Sequence, residues 1–545
     1  MTVAPAGPAA APAPAGTTVT AGATSIATVR SFIRGKRRRR WFDWYAIGFA
    51  VVLTAFMLSD FLAAPFNRLL STSGAPPAQG QAGAALVIAA AAGLIMLAQV
   101  LGPLALSPAD ASWLLLSPLG RRDVLRRPAG AAAGVCALAG ALLGVLALTM
   151  AGPYLRHGTR HGARHALWAW LWPTAIAGAG FFLAAALVAM LAQPSPRWRA
   201  GLRAVCAVVS LAAALGALAG ERWTAVPRRV TAVFGDVSTS AADVIAAVAV
   251  ATACVATLLV WLALPRVPAS VARTDSARAG MTRLAGAYLN VPLLTWIAED
   301  SHWRGRLLTP RPWPKGFSPA RTTGRRAALA PACTLAWVDW RRLSRRPALL
   351  LALVGSTLAP ALAGAALTGH ARGYGTAAVL ACGAIAAGVQ GTAATRRDTD
   401  DPALFRLLGL DRRTVLGMRA VLPALLSACW LLLALVVLVL SGVLTGWLWP
   451  PLGLVAGPGL AAAALRIART GSIDPGEQGA DTPLGPVPPW LITRVVSLLM
   501  GAAASYPLLM AVHTGQLHAA TFAAQLAFSA VALGGYLRLT KAARA

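Results

Sequence analysis

The sequence is short of charge, of acid, of lysine and of cysteine, and each shortage closes off a class of function. Charged residues occupy 12% of the 545 positions, about half the share found in a soluble globular chain. With 57% hydrophobic residues, a water-soluble fold would leave large apolar patches exposed. A soluble enzyme, a secreted domain and a nucleic-acid-binding protein are therefore poor starting points. Only three lysines occur, Lys36, Lys315 and Lys541, and none stands in the GxxxxGK[ST] context whose lysine reaches bound phosphates. The six cysteines (Cys136, Cys206, Cys254, Cys333, Cys382, Cys429) are isolated and sit mostly inside apolar runs. Without CxxC or His/Cys spacing they indicate neither a disulfide framework nor a zinc site. There is no HExxH, no pair of glutamates within a span and no Asp-rich outer loop, so the chain lacks the converging groups of a membrane-embedded enzyme. Ser356, Ser427 and Ser505 have no basic partner in their spans; each is expected to bond to a preceding carbonyl of its own helix.

What the sequence has in abundance is apolar residues blocked into runs of about 20, the length that crosses a hydrocarbon core of about 30 Å. The reading is an all-α polytopic membrane protein with twelve spans: 44–64, 82–104, 129–152, 167–191, 204–220, 243–264, 348–369, 373–394, 421–445, 448–466, 492–512 and 517–537. Six fall on each side of a polar segment, 265–347. The net charge of +31 then takes its meaning from position, because basic residues in short loops hold the cytoplasmic side. With the N-terminus inside, 41 of the 49 basic residues fall on that side and 8 outside. Both termini are expected in the cytoplasm and the chain in the plasma membrane. Residues 1–29 form an Ala/Pro-rich tail whose composition predicts disorder. The first half is 30–264, a basic linker occupies 265–336, and the second half is 337–545.

An internal repeat supports two parallel six-helix halves. Gln99 and Gln390, Asp110 and Asp401, Leu116 and Leu407, Leu119 and Leu410, Arg121 and Arg412, Arg122 and Arg413, Val124 and Val415, and Leu125 and Leu416 all keep an offset of 291. These are eight identities in 27 ungapped positions, several of them polar, which biased composition does not produce. Each copy lies between the second and third span of its half. A looser echo is WFDW at 41–44 and WVDW at 337–340, each before a half's first span. Parallel repeats are related by an axis along the membrane normal, with a transport path on it.

The repeated loop has a physical design. Ser107-Pro108 and Asp401-Pro402 pair an N-cap residue with a proline at the first helical position. A short apolar helix follows, carrying Trp113 in one copy and Phe405 in the other. An arginine pair, Arg121-Arg122 or Arg412-Arg413, then precedes the next span. A helix of this kind lies along the membrane surface, where one face can dock on a partner.

In this order of elements the chain resembles the ABC-2-type exporter permeases, in which an amphipathic elbow helix precedes six membrane helices and a coupling helix between the second and third contacts the ATPase. WVDWRRLSRRP (337–347) looks like the elbow of the second half, and the basic stretch 30–44 like its counterpart in the first. SPADASWLLLSPLGRR (107–122) and DDPALFRLLGLDRR (400–413) look like the coupling segments. The whole also resembles an uncharacterised actinobacterial multi-pass membrane family. The resemblance implies ATPase coupling through Asp110, Trp113, Arg121, Arg122, Asp401, Phe405, Arg412 and Arg413. It also implies that ATP acts only through separate ABC ATPase subunits, one per half, with no cofactor in this chain. The segments before the last span of each half, 221–242 and 513–516, differ greatly in length, a departure from symmetry.

The alternative is an ion-coupled carrier of the major-facilitator type. That family's GxxxDRxGRR signature falls in the same two loops, but here Asp110 lies ten residues before Gly120 and Asp411 replaces the second glycine. Carriers also generally need ionisable groups inside the bilayer, and only Asp60 and Asp243 touch a span. Gln99 and Gln390, near the inner ends of matched spans, are expected to line a path or hydrogen-bond between helices. Gly140/Gly144 and Gly453/Gly457 form GxxxG patterns that permit close helix approach. Pro173, Pro360, Pro458 and Pro507 predict kinks. His157, His161 and His165 recur every four residues in the loop 153–166 and would share a helical face, a spacing open to metal binding or proton sensing.

Overall fold

The computed structural model describes residues 77–101, 106, 108–114, 117, 120–151, 163–193, 195–219, 239–287, 325–367, 369–400, 412–469, 480–482, 485–487 and 489–539. The expected span 44–64, the tail, His157 and His161 lie outside these residues, and only the backbone of His165 falls within a described helix. Long unbroken apolar runs become long helices because hydrocarbon offers no hydrogen-bonding partner to an open backbone. The first set is α1 (Pro77–Leu101), α2 (Pro108–Trp113), α3 (Arg121–Ala151), α4 (Ala163–Ala192), α5 (Pro196–Ala219), α6 (Thr239–Ala263), a 3₁₀ turn (Leu264–Arg266) and α7 (Ala269–Ala287). The second set is α8 (Arg325–Ser344), α9 (Pro347–Ser356), α10 (Ala359–Ala366), α11 (Gly369–Gln390), α12 (Ala393–Asp400), α13 (Arg412–Leu440) and α14 (Trp449–Arg469). It closes with α15 (Pro489–Ala504), α16 (Tyr506–Thr514) and α17 (Ala519–Leu539). The strand pairing among the described residues is a ribbon of two antiparallel three-residue strands, β1 (Ala480–Thr482) and β2 (Gly485–Val487).

Among the described residues nine helices are long and apolar enough to cross a membrane, and a tenth crossing arises if α15 and α16 form one bent span. Exposed Val135, Leu138, Leu142, Val205, Val208, Val248 and Leu258 would be costly in water and are at home against lipid. This is a multi-pass membrane protein.

Several helix pairings recur between the two sets. In the first, α3 packs on α4, α4 on α6 and α5, and α1 on α3 and α4. In the second, α13 packs on α14, α14 on α17 and α15, and α11 on α13 and α14. Small residues set the closest approaches, as expected where lipid removes the hydrophobic drive between helices. A methyl on Gly140 would overlap the Gly178 carbonyl and the Phe182 side chain, and one on Gly144 would overlap the Thr174 carbonyl. Gly457 lies in the same manner against the backbone of Ala428. The GxxxG patterns thus sit at the α3–α4 and α13–α14 contacts. The two sets meet where buried Ala82 and Ala85 of α1 and Ala214 of α5 pack with Leu362 and Ala366 of α10.

The prolines act unequally. Pro173 and Pro458 remain inside continuous helices, whereas Pro360 and Pro507 stand just after interruptions. Between α15 and α16 the chain bends by 63°, and Gln525 of α17 fills the gap. The Leu508 N–H donates to Gln525 Oε1 at 3.0 Å, and Gln525 Nε2 donates to the Ala504 carbonyl at 2.8 Å. One side-chain amide thus occupies the place of the missing i→i−4 bond. Gln525 Nε2 also reaches Ser529 Oγ (3.1 Å), whose hydroxyl donates to the Val455 carbonyl (2.8 Å). The serines divide as well. Ser356 and Ser505 bond to Leu353 and Gly501 of their own helices, as expected. Ser427 instead donates across to the Ala384 carbonyl of α11 at 2.9 Å, because Gly388 leaves room for its hydroxyl between the two helices.

Replacing Gln525 by Leu leaves two buried backbone groups without partners, at about 1–3 kcal/mol each. Thermal unfolding of the detergent-solubilised protein is expected to shift down accordingly. Adding Pro507→Ala, which lets the helix close, is expected to recover part of the loss.

Candidate functional site

Charged residues gather where α3 begins and where α13 begins. Gly120 starts α3, its carbonyl accepting from the Asp123 N–H at 3.0 Å, and Asp123 in the first turn complements the helix dipole. Arg121 is therefore the first residue of a spanning helix, eight positions before the expected span at 129. Arg412 is the first residue of α13, and the two starts are 291 residues apart, the offset of the repeat.

Arg121 and Arg122 fold back onto the end of α6. Arg121 Nη1 donates to the Val267 carbonyl at 3.3 Å, and the Arg122 guanidinium lies 4.1 Å over the Trp261 ring, an arrangement that favours a cation. The short helix α2 begins at Pro108, as its sequence predicts, with Asp110 half-buried in the first turn. Its apolar side is already covered: Ala111 and Leu114 are buried in one cluster with Val124, Leu125 and Ala272 of α7. The Leu106 N–H donates to Ser276 Oγ of α7 at 3.0 Å. Only the opposite side is open, and there Trp113 is 77% exposed. The linker region thus supplies a helix, α7, that seats α2.

Beneath this surface lies a polar layer. Gln99 accepts from Arg203 Nε of α5 at 3.1 Å, which makes it an interhelical contact within the first set. Gln390 lies half-buried at the end of α11, and no hydrogen bond joins the two glutamines. Gln193, just past α4, donates through Nε2 to Asp275 Oδ2, and Arg278 approaches the other carboxylate oxygen at 3.3 Å. Burial raises the Asp275 carboxyl above its ordinary value, opposed by the Gln193 hydrogen bond and by Arg278.

In the second set the corresponding end is organised by one guanidinium. Arg419 Nη1 donates to Asp339 of α8 at 2.7 Å, and its Nε and Nη2 donate to the two oxygens of Asp398 on α12 at 2.9 and 3.3 Å. All three side chains are largely buried. Asp339 is the aspartate of WVDW, so the expected elbow segment 337–347 starts in the last turns of α8, ends where Pro347 opens α9, and is tied to the start of a span. Burial raises the Asp339 carboxyl, with Arg419 pulling the other way. Of the expected coupling residues in this copy, Asp401 and Phe405 lie outside the described residues, Arg412 is placed by its backbone, and Arg413 is exposed. Sequence reasoning did not find Arg419, Asp398, Asp275, Gln193 or Arg203. Asp339 was visible only as part of an echo between halves. The available signal was scarcity: in a chain with 18 acids, an aspartate between tryptophans beside a span needs a partner. Among the described residues no group of His, Cys, Asp and Glu side chains is arranged to hold a metal ion.

A family model covers residues 75–474, from α1 through α14. The chain belongs to DUF6297, a family of unknown function. No curated protein and no solved structure matches it. The DUF6297 segment takes in both arginine-headed helices, α2 and the Asp339–Arg419–Asp398 group.

Removing Arg419 while leaving its acids strands two buried carboxylates, a change worth about 3–5 kcal/mol. Arg419→Met is expected to lower the midpoint of thermal unfolding more than Asp339→Asn or Asp398→Asn. The Asp339→Asn/Asp398→Asn/Arg419→Met triple variant is expected to be less damaged than Arg419→Met alone. Circular dichroism of the purified variants measures all four.

Proposed function

We propose that this protein is the membrane-embedded permease of an ABC-type exporter, built as two related six-helix halves with twelve spans in all. Separate ATPase subunits dock on the 105–128 and 395–420 loops. The observation that carries the reading is the correspondence of α3 and α13. Each begins on the repeated arginine pair, and each packs on the spanning helix that follows it and on the helix at the matching earlier position, α1 or α11. The contact of α1, α5 and α10 supports a common orientation. Ala82, Ala214 and Leu362 each lie at the end of their helix or span remote from the charged cluster of their own set, so both charged ends face one side. On this reading that side is the cytoplasm and holds both termini.

The two loops then act as levers. Closure of the ATPases pushes on α2 and its counterpart near Phe405, and the halves rock between inward- and outward-open states. Trp113 is the contact of choice in the first copy, since it is large, apolar and open to solvent. Aromatic anchors of this kind carry a disproportionate share of interface energy. Asp110, Arg121 and Arg122, with Asp401, Arg412 and Arg413, complete the docking segments. The major-facilitator alternative would place its titrating acids within the spans. The buried acids Asp275, Asp339 and Asp398 stand instead on α7, α8 and α12, outside the membrane-crossing helices.

The test is co-purification with a lone ATP-binding subunit encoded in a neighbouring reading frame. The wild-type chain is expected to retain that subunit in detergent, and Trp113→Asp to weaken the association by at least tenfold, with Phe405→Asp doing the same on the second loop. Failure of any ATPase to co-purify, or retention untouched in the double variant, would overturn the proposal.

A further inference from the structure

The end of α4, the end of α6 and the 3₁₀ turn enclose an open-sided cleft of about 160 Å³. Met190, Leu191, Val260, Ala263 and Leu264 form its walls, and Arg266 stands at its rim. The cleft is small against the 300–1,000 Å³ or so that enclose a compact organic ligand. A narrow, apolar, side-open trough suits the upper part of a hydrocarbon chain. Two further arginines touch its neighbourhood. Arg121 bonds to Val267, which also lines the cleft, and Arg122 lies over Trp261, one residue from Val260. The Nε of Arg122 is buried and lacks a hydrogen-bond acceptor among the described residues. Near the cleft, Asp123 faces Arg126 at 3.9 Å, and Asp275 holds Gln193 and Arg278. Arginine forks at the end of an apolar trough match a phosphate diester carrying acyl chains.

We propose that this cleft is a binding site for an anionic phospholipid. An acyl chain lies along Met190, Val260 and Ala263, and the headgroup phosphate is held by Arg266 with Arg121 and Arg122. The lipid bridges the start of α3 to the ends of α4 and α6. The inference depends on the membrane setting and not on the ATPase reading.

Native mass spectrometry of the detergent-solubilised full chain, titrated with defined lipids, tests it. One phosphatidylglycerol is expected to be retained at a concentration at least tenfold below that needed for phosphatidylcholine of the same chains. Arg266→Gln, a substitution at an exposed rim position, and Arg121→Gln are each expected to reduce that preference at least threefold. Ala263→Phe, which fills the trough and leaves every arginine in place, is expected to abolish retention of phosphatidylglycerol. Arg372→Gln, on α11 outside the charged cluster, is expected to change nothing. Equal retention of the two lipids, insensitivity to Arg266→Gln and Arg121→Gln, or competition by glycerol phosphate as strong as by phosphatidylglycerol would overturn the proposal. The last outcome would mark a plain phosphate site with no role for the chain.

Discussion

The structure depends on one constraint: a backbone crossing hydrocarbon must satisfy its own hydrogen bonds. Unbroken helices meet it along most of the chain, and the polar side chains inside the bundle meet it where helices break. Gln525 stands in for the Leu508–Ala504 bond. Near the interruption between α9 and α10, Thr357 bonds to the Val354 carbonyl, and Ser356 accepts from Trp430 Nε1 at 2.9 Å. Residues that look like candidates for a polar path are thereby committed to repairing backbone. The Ser427 hydroxyl, which links two helices through the Ala384 carbonyl, belongs to the same economy.

Charge excluded from the spans collects where the helices begin and end, and there it does mechanical work. Arg419 ties a helix that precedes the spans (α8), a helix in the repeated loop (α12) and a spanning helix (α13) into one unit. Burying two carboxylates around a single guanidinium is not a route to high stability, so its contribution is the fixed geometry among three elements. In the first set the same task falls to different chemistry. Arg121 and Arg122 attach α3 to the end of α6 through a carbonyl and an indole ring, and Gln193 and Asp275 attach α4 to α7. A displacement applied to α2 would therefore pass directly to α3 and α7, and through them to α6 and α4.

Much of this was legible in the sequence. Run length and charge scarcity located the helices, since both follow from the thickness and dielectric of the bilayer and need no knowledge of packing. The offset of 291 anticipated that α3 and α13 begin alike, and the GxxxG patterns marked the tightest helix contacts. The errors have physical causes. The span expected at 129 begins at Arg121 because a helix costs little to extend past the apolar run while its cap and first-turn acid support it. The break at Pro507 persists because a glutamine from a neighbouring helix replaces the lost bond. Ser427 crosses to another helix because Gly388 happens to face it.

By itself, then, the sequence determined the solvent. Composition and span length demand a bilayer, and the repeat predicts two similarly ordered sets of helices, because these are one-dimensional properties read along the chain. Only the tertiary structure decided which polar groups meet. Asp339, Asp398 and Arg419 are separated by 59 and 21 positions in the chain, and Gln525 lies 17 and 21 residues from the groups it joins. The same holds for the cleft beside Arg266. Its walls come from two helices that touch only after folding, and no local pattern of hydrophobicity encodes a partnership between distant side chains.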